Sequence, residues 1–285
     1  MNSMTTKTTK KAAKPEFDGK AIYNPKGKAG EYAPWACNFY TGCSNDCEYC
    51  YCKRGVMSHV WDNKPHLKKC FKDERKALEI FEKELVANLE ALRSSSIFFT
   101  FTSDPLLPEV KNTYWAAAAC ALSHGVRVQF LTKRADFIND HFLQRNAILK
   151  NHIAFGFTLT GHDEKEPGAS TNMERIGAMW HLHKQGYKTF ASIEPIVSLD
   201  GAKRMIERTM GFCDLFKVGL MSGVKNDYYD DNDLRMFIWW LADLHETQGI
   251  KFYIKDSIRE RLGDSTVIQA MSVPKDYDIF RREKV

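Results

Sequence analysis

The run Tyr40-Thr-Gly-Cys43-Ser-Asn-Asp-Cys47-Glu-Tyr-Cys50-Tyr-Cys52 sets three cysteines at C-x3-C-x2-C spacing directly after a short apolar segment, Trp35 to Tyr40, that reads as a strand. Three thiolates on one tight loop can hold an iron–sulfur cluster. Such clusters usually take four cysteine ligands, so a three-cysteine loop leaves one iron open, much as a catalytic zinc keeps an open position for its reactant. An open iron implies chemistry rather than storage. Cys52 adds a fourth thiol, and a structural zinc knot or a non-catalytic electron-carrier cluster are the competing readings of the same run. Zinc sites usually pair two ligand clusters across a longer loop, yet no second C-x2-C or H-x3-H follows. Cys37, Cys70, Cys120 and Cys213 stand singly in apolar or helical contexts, where a free cysteine is most often a small buried hydrophobe.

With 285 residues, 44% of them hydrophobic, the chain can build one large core. No stretch approaches the ~20 apolar residues of a membrane span, and the start lacks the apolar region of a signal peptide. These readings lead us to expect a soluble, cytoplasmic protein with no membrane partner. Eight cysteines are too few for a secreted disulfide scaffold, and a reducing compartment suits a thiol-held cluster. A net charge of +5 permits a nucleic-acid partner without demanding one. Residues 1–30 carry seven lysines against two acids and few large apolar side chains, which predicts a disordered basic arm. A core over 31–256 and a C-terminal extension over 257–285 would follow.

Helices alternate with strands along that core. Asn112 to Ser123, Asn172 to Gln185 and Asp233 to Gln248 are amphipathic segments. Each leads through a glycine (Gly125, Gly186, Gly249) into an apolar strand: Val126 to Thr132, Tyr187 to Ile193 and Ile250 to Ile254. An Asn or Asp at each start can cap the helix, and glycine supplies the left-handed turn after it. Further strands are expected over Ser96 to Phe101, Ile153 to Thr160 and Leu215 to Leu220, with a helix over Asp73 to Leu92. About seven βα units argue an α/β fold with a parallel sheet, curled into a partial or complete (β/α) barrel. The cysteine loop then sits at the C-terminal mouth. The polar strand ends Thr102-Ser-Asp104, Thr132-Lys133, Thr158, Thr160, Ser192, Glu194, Lys217 and Lys255-Asp256 should face the same rim. Phe98, Phe99, Phe101, Trp239 and Trp240 read as core packing.

The cysteine loop, with Tyr49 as the aromatic before its third cysteine, resembles the signature of the radical S-adenosylmethionine (SAM) superfamily. Together with Thr102-Ser-Asp-Pro105, Leu131-Thr-Lys133 and Ile193-Glu-Pro195, it looks like the branch containing spore photoproduct lyase and the DNA repair photolyase-like enzymes. The resemblance covers roughly residues 35–200. It implies that Cys43, Cys47 and Cys50 ligate a 4Fe-4S cluster whose open iron takes SAM. It also implies that Ser103, Asp104, Thr158 and Tyr49 line the SAM site, and that Lys133 meets the carboxylate or ribose. Glu194 would bond an adenine, ribose or ammonium group, and Tyr51 would flank the third thiolate beside the reacting centre. Reductive cleavage of SAM to a 5′-deoxyadenosyl radical, an electron donor such as flavodoxin or ferredoxin, and a nucleic-acid substrate follow from the same resemblance. A peptide or small metabolite is the alternative substrate. One departure stands out: spore photoproduct lyase has a hydrogen-donating cysteine directly before Thr-Ser-Asp, where this chain has Phe101.

Overall fold

Seven short apolar runs lie side by side as parallel strands in the computed structural model, which describes residues 16–59, 61–222 and 229–281. The chain enters through β1 (Ile22–Tyr23), which pairs antiparallel with β2 (Ala36–Cys37). A two-stranded ribbon follows, β3 (Tyr40–Thr41) with β4 (His66–Leu67), and the cysteine loop lies between them. Then come α1 (Glu74–Ala87), α2 (Leu89–Arg93), β5 (Ser96–Phe99), α3 (Lys111–Ser123), β6 (Arg127–Thr132), α4 (His141–Arg145) and β7 (Ile153–Thr158). The remainder is α5 (Asn172–Gln185), β8 (Lys188–Ile193), α6 (Leu199–Thr209), β9 (Leu215–Val218), α7 (Asp231–Gln248), β10 (Phe252–Ile254), α8 (Asp256–Leu262) and α9 (Thr266–Met271).

The sheet runs β1-β2-β5-β6-β7-β8-β9-β10, and its two edge strands do not pair with each other, so the barrel is partial. Its open side is bridged by residues 27–33. Lys217 on β9 donates to the carbonyl oxygens of Glu31 and Tyr32 at 3.0 and 2.9 Å, and the Asp256 amide donates to Glu31 at 2.7 Å.

Strand alternation sorts the apolar side chains into two layers. The larger one, with Phe81, Phe99, Tyr114, Phe130, Phe155 and Leu241 fully buried, lies between sheet and helices. A smaller one inside the barrel gathers Phe98, Ala154, Phe190, Leu215 and Tyr253, and is closed below by Ile279 and Phe280. Arg127, the first residue of β6, pairs with Asp278 at 2.7 Å, which places this C-terminal plug at the end opposite the mouth.

Several expectations need correction. The strand expected over Trp35 to Tyr40 divides at Asn38. That buried side chain accepts from Phe101 N at 2.9 Å and Thr100 Oγ1 at 2.5 Å and donates to Tyr23 Oη at 2.8 Å, meeting polar groups where the ladder stops. The long helix over Asp73 to Leu92 divides at Asn88, a residue of low helix propensity. Caps come from Thr171, in a capping box with Glu174, and from Asp230, while the start of α3 has no side-chain cap. Gly186 and Gly249 do end their helices with φ of 85° and 70°.

Of the expected arm, residues 1–15 lie outside the described residues, whereas 16–30 are folded. Ala21 and Ile22 are fully buried, and Glu84 accepts the amides of Lys20, Ala21 and Ile22 at 2.7–3.0 Å. Trp239 is 60% exposed on α7, and only Trp240 packs against the core. β5 ends at Phe99, and Phe101 beyond it turns back to stack on Phe98, ring centroids 4.6 Å apart, rather than following Phe99 into the outer layer. Among the described residues no helix is long and apolar enough to cross a membrane.

Gly156 in β7 faces the ring of Phe190, and a methyl group there would stand 2.1 Å from the ring. Gly156→Ala should therefore lower stability by about 1–3 kcal/mol, the usual cost of overpacking a filled core. Urea unfolding against wild type checks this; an unchanged midpoint would show that the interior is looser than described.

Candidate active site at the barrel mouth

Strands that run parallel deliver their C-terminal loops to one rim, and here those loops enclose a cavity of about 260 Å3. Its lining includes Cys43, Cys47, Cys50 and Cys52 from the loop beyond β3, Ser103 and Asp104 after β5, and Lys133 after β6. Thr158, Ser192, Glu194 and Lys255 complete the wall. Tyr49 and Tyr51 also line it, so every site residue expected from sequence borders one space. Of the other rim candidates, Lys217 lies beneath the cavity wall, and Thr160 turns to accept the His162 amide at 3.2 Å.

Asp104 ties the rim together. One carboxylate oxygen accepts from Thr132 Oγ1 at 2.7 Å and from the Leu106 amide at 3.0 Å; the other accepts from Asn45 Nδ2 and the Lys133 amide, both at 2.7 Å. It is 5% exposed. Asp104 thus joins the cysteine loop to the loops after β5 and β6 and has little acceptor capacity left for a ligand.

Besides Glu194, three polar groups at the rim have spare capacity. Ser103 Oγ and Asn45 Oδ1 are buried with no hydrogen-bond partner among the described residues. Buried polar atoms are normally satisfied, so orphans on a cavity wall indicate a polar occupant. The Lys133 ammonium lies 5.5 Å from the Tyr49 ring centroid and has neither an ion pair nor a hydrogen bond among the described residues. Burial pulls its pKa down, but the nearby Cys47, Glu166 and Cys50 outweigh this and leave it above the ordinary lysine value. It is a cation facing thiols, suited to a carboxylate.

The thiols themselves are unevenly poised. A hydrogen bond from Cys52 lowers Cys50 to about 6, whereas burial raises Cys43 and Cys47. Cys47 Sγ leans toward Asn45 O at 3.9 Å and Cys52 Sγ toward Phe101 O at 3.7 Å. Among the described residues no three His, Cys, Asp or Glu side chains converge into a metal-binding group as these side chains stand. The soft donors do share one cavity with unpaired polar atoms, and thiolates of this kind select iron–sulfur clusters, zinc or copper(I) over hard cations. The residues therefore fit an iron–sulfur cluster by donor chemistry.

Opposite Lys133 lies a network that sequence reasoning caught at Glu194 and Lys255 but not at Glu31 or Tyr32. Glu194 Oε2 accepts from Tyr32 Oη at 2.7 Å and Lys255 Nζ at 2.6 Å, and Lys255 also pairs with Glu31 at 3.4 Å. The other Glu194 oxygen has no hydrogen bond among the described residues. Glu31 and Tyr32 escaped notice because residues 1–30 read as an arm ending just before them. Asn45 sat inside the cysteine run without a sign of its partner Asp104, and Glu166 and Arg175 escaped notice because no spacing links them to the cysteines.

No protein-family model matches the chain, and neither does any curated protein sequence. Solved structures do match. A variant of spore photoproduct lyase aligns at 15% identity over 81% of this chain and 80% of that one, TM-score 0.61. Spore photoproduct lyase complexed with dinucleoside spore photoproduct aligns at 16% identity over 81% and 80%, TM-score 0.60. SuiB from Streptococcus suis, bound to S-adenosylmethionine, aligns at 13% identity over 75% of this chain and 50% of that one, TM-score 0.50. The chain has the fold of spore photoproduct lyase.

Lys217, buried beside Lys255, is held down to about 7, burial being the larger cause. Between that value and the ordinary 10.5 the folded chain binds fewer protons than the unfolded one, so this lysine makes stability rise with pH across that window. The stability of wild type relative to Lys217→Met should thus increase from about pH 7 to about pH 10. Urea midpoints at both ends of the window test it; a constant difference would mean that Lys217 stays charged when folded.

Proposed function

We propose that the chain is an enzyme that holds a 4Fe-4S cluster on Cys43, Cys47 and Cys50 and cleaves SAM reductively beside it. The observation that carries this reading is the shared cavity: the thiols, an unpaired Lys133 ammonium and an unpaired Ser103 hydroxyl face one space. When bound, the cluster and SAM supply one-electron chemistry at the sulfonium. The chain supplies the rest. Lys133 neutralises the SAM carboxylate, Ser103 offers its hydroxyl to the methionine portion, and the free oxygen of Glu194 accepts from an ammonium or ribose group. Lys255 and Tyr32 hold that carboxylate in place. Leu131, Phe101 and Met221 give the apolar wall that an adenine ring needs.

The proposed substrate is drawn from nucleic acid. The dinucleoside complex of the similar lyase supports this class, as does the chain's positive charge. Phe101 marks a difference in outcome. Its ring is stacked on Phe98 and has no weakly held hydrogen to give, so a substrate radical at this position is not quenched as it would be by a thiol. A flavodoxin- or ferredoxin-type protein is the proposed electron donor, and the reducing cytoplasm the proposed location.

Anaerobic reconstitution should load about four irons per chain, and Ala at Cys43, Cys47 or Cys50 should abolish loading while Cys213→Ala does not. Reduced protein should then release methionine and 5′-deoxyadenosine from SAM. Stoichiometric zinc, or iron uptake without SAM cleavage, would overturn the proposal.

Lys133→Ala and Ser103→Ala should weaken SAM binding by about 10-fold or more, from the ~1.5–3 kcal/mol of a charge-assisted contact. Equilibrium binding to the loaded protein measures it, and wild-type affinity in the Lys133 variant would remove that residue from the site.

A further inference from the structure

Among the described residues the cysteine loop has almost no regular structure of its own, only 3-10 turns over Tyr51–Lys53 and Gly55–Met57. Its sulfurs must be fixed by what the loop rests on: Asp104 through Asn45, and the segment after β7. The Glu48 amide donates to Lys165 O at 2.9 Å and the Gly168 amide donates to Asn45 O at 3.1 Å. The contact is close enough that a Cβ on Gly168 would stand 2.0 Å from Ser44 O. Beneath these backbone bonds lies a chain of side chains. Tyr49 Oη donates to one oxygen of Glu166, and Arg175 Nη2 donates to the other. Arg175 also donates to Thr158 O at 2.5 Å and lies 3.6 Å from Asp163.

The Glu166 and Arg175 side chains are both 0% exposed, and Tyr49 is 8% exposed. A ring needed for packing alone would do as well without a hydroxyl, and a buried hydroxyl demands a partner. A buried ion pair is weak grounds for a gain in stability over apolar residues of the same shape, so its role is better sought in what it touches. It touches the residue between the second and third thiols. We propose that the buried Tyr49–Glu166–Arg175 relay positions the thiol loop, with Tyr49 fixing Cys47 and Cys50 on either side and the Glu166–Arg175 pair anchoring its hydroxyl. The consequence for bound iron rests on the function proposed above; the consequence for the loop does not.

The test uses the full chain in two states. In the iron-free protein, Tyr49→Phe and Glu166→Gln should speed amide hydrogen exchange over residues 43–52 while leaving β6 and β7 as in wild type. In the anaerobically reconstituted protein, Tyr49→Phe should lose iron to a ferrous chelator about 10-fold faster or more, the usual effect of removing an outer-sphere partner. In the iron-free protein Arg175→Gln should speed the same exchange, and Arg175→Lys should bring it back toward wild type. Wild-type exchange and iron retention in Tyr49→Phe would overturn the positioning role. A wild-type chain that takes up no iron would defeat the proposed function, and hydrogen exchange would still decide the relay.

Discussion

Two carboxylate oxygens on Asp104 accept four hydrogen bonds, and the geometry of the mouth depends on them. The donors come from three segments: the cysteine loop through Asn45, the turn after β5 through Leu106, and the end of β6 through Thr132 and Lys133. A parallel barrel fixes its strands by ladder bonds but leaves its C-terminal loops to settle by local contacts. Here one buried carboxylate substitutes for a ladder among the loops. Its Lys133 bond is to the backbone amide, which leaves the ammonium free to point at the cavity.

The mouth also separates its charges by side. Lys133 stands near the thiols, where negative charge gathers, while Glu194, Lys255 and Glu31 form a nearly self-contained group across the cavity. A zwitterion bearing a carboxylate and an ammonium meets a cation on one wall and an available carboxylate oxygen on the other. Glu194 is kept from drifting by two donors on a single oxygen, so its free oxygen has a defined direction.

Much of this was legible before any coordinates. Repeating helix–glycine–strand units gave the parallel sheet, because periodicity and the left-handed turn at Gly186 and Gly249 are local properties. The cysteine spacing located the mouth for the same reason. What escaped was non-local. Asn38 ends a strand only because Tyr23, Thr100 and Phe101 come to meet it. Residues 16–30 read as a solvated arm because their lysines dominate the composition, while the features that fold them are Ile22 in the core and Glu84 some 62 residues away. Glu166 and Arg175 are ordinary surface-type residues by sequence, and only the fold buries them together. Trp239 and Trp240 are adjacent on a helix, so one turns outward when the other turns in.

The short segment that bridges the open side of the barrel also carries a temporal consequence. Glu31 and Tyr32 are made early in synthesis, yet the groups that hold them lie 186 and 225 residues later. Contacts of such separation carry a large loop-closure entropy. They form once the intervening sheet has already brought their ends together. The side wall of the cavity can therefore close only after the chain has been made as far as Lys217 and Asp256, long after the thiol loop has been made.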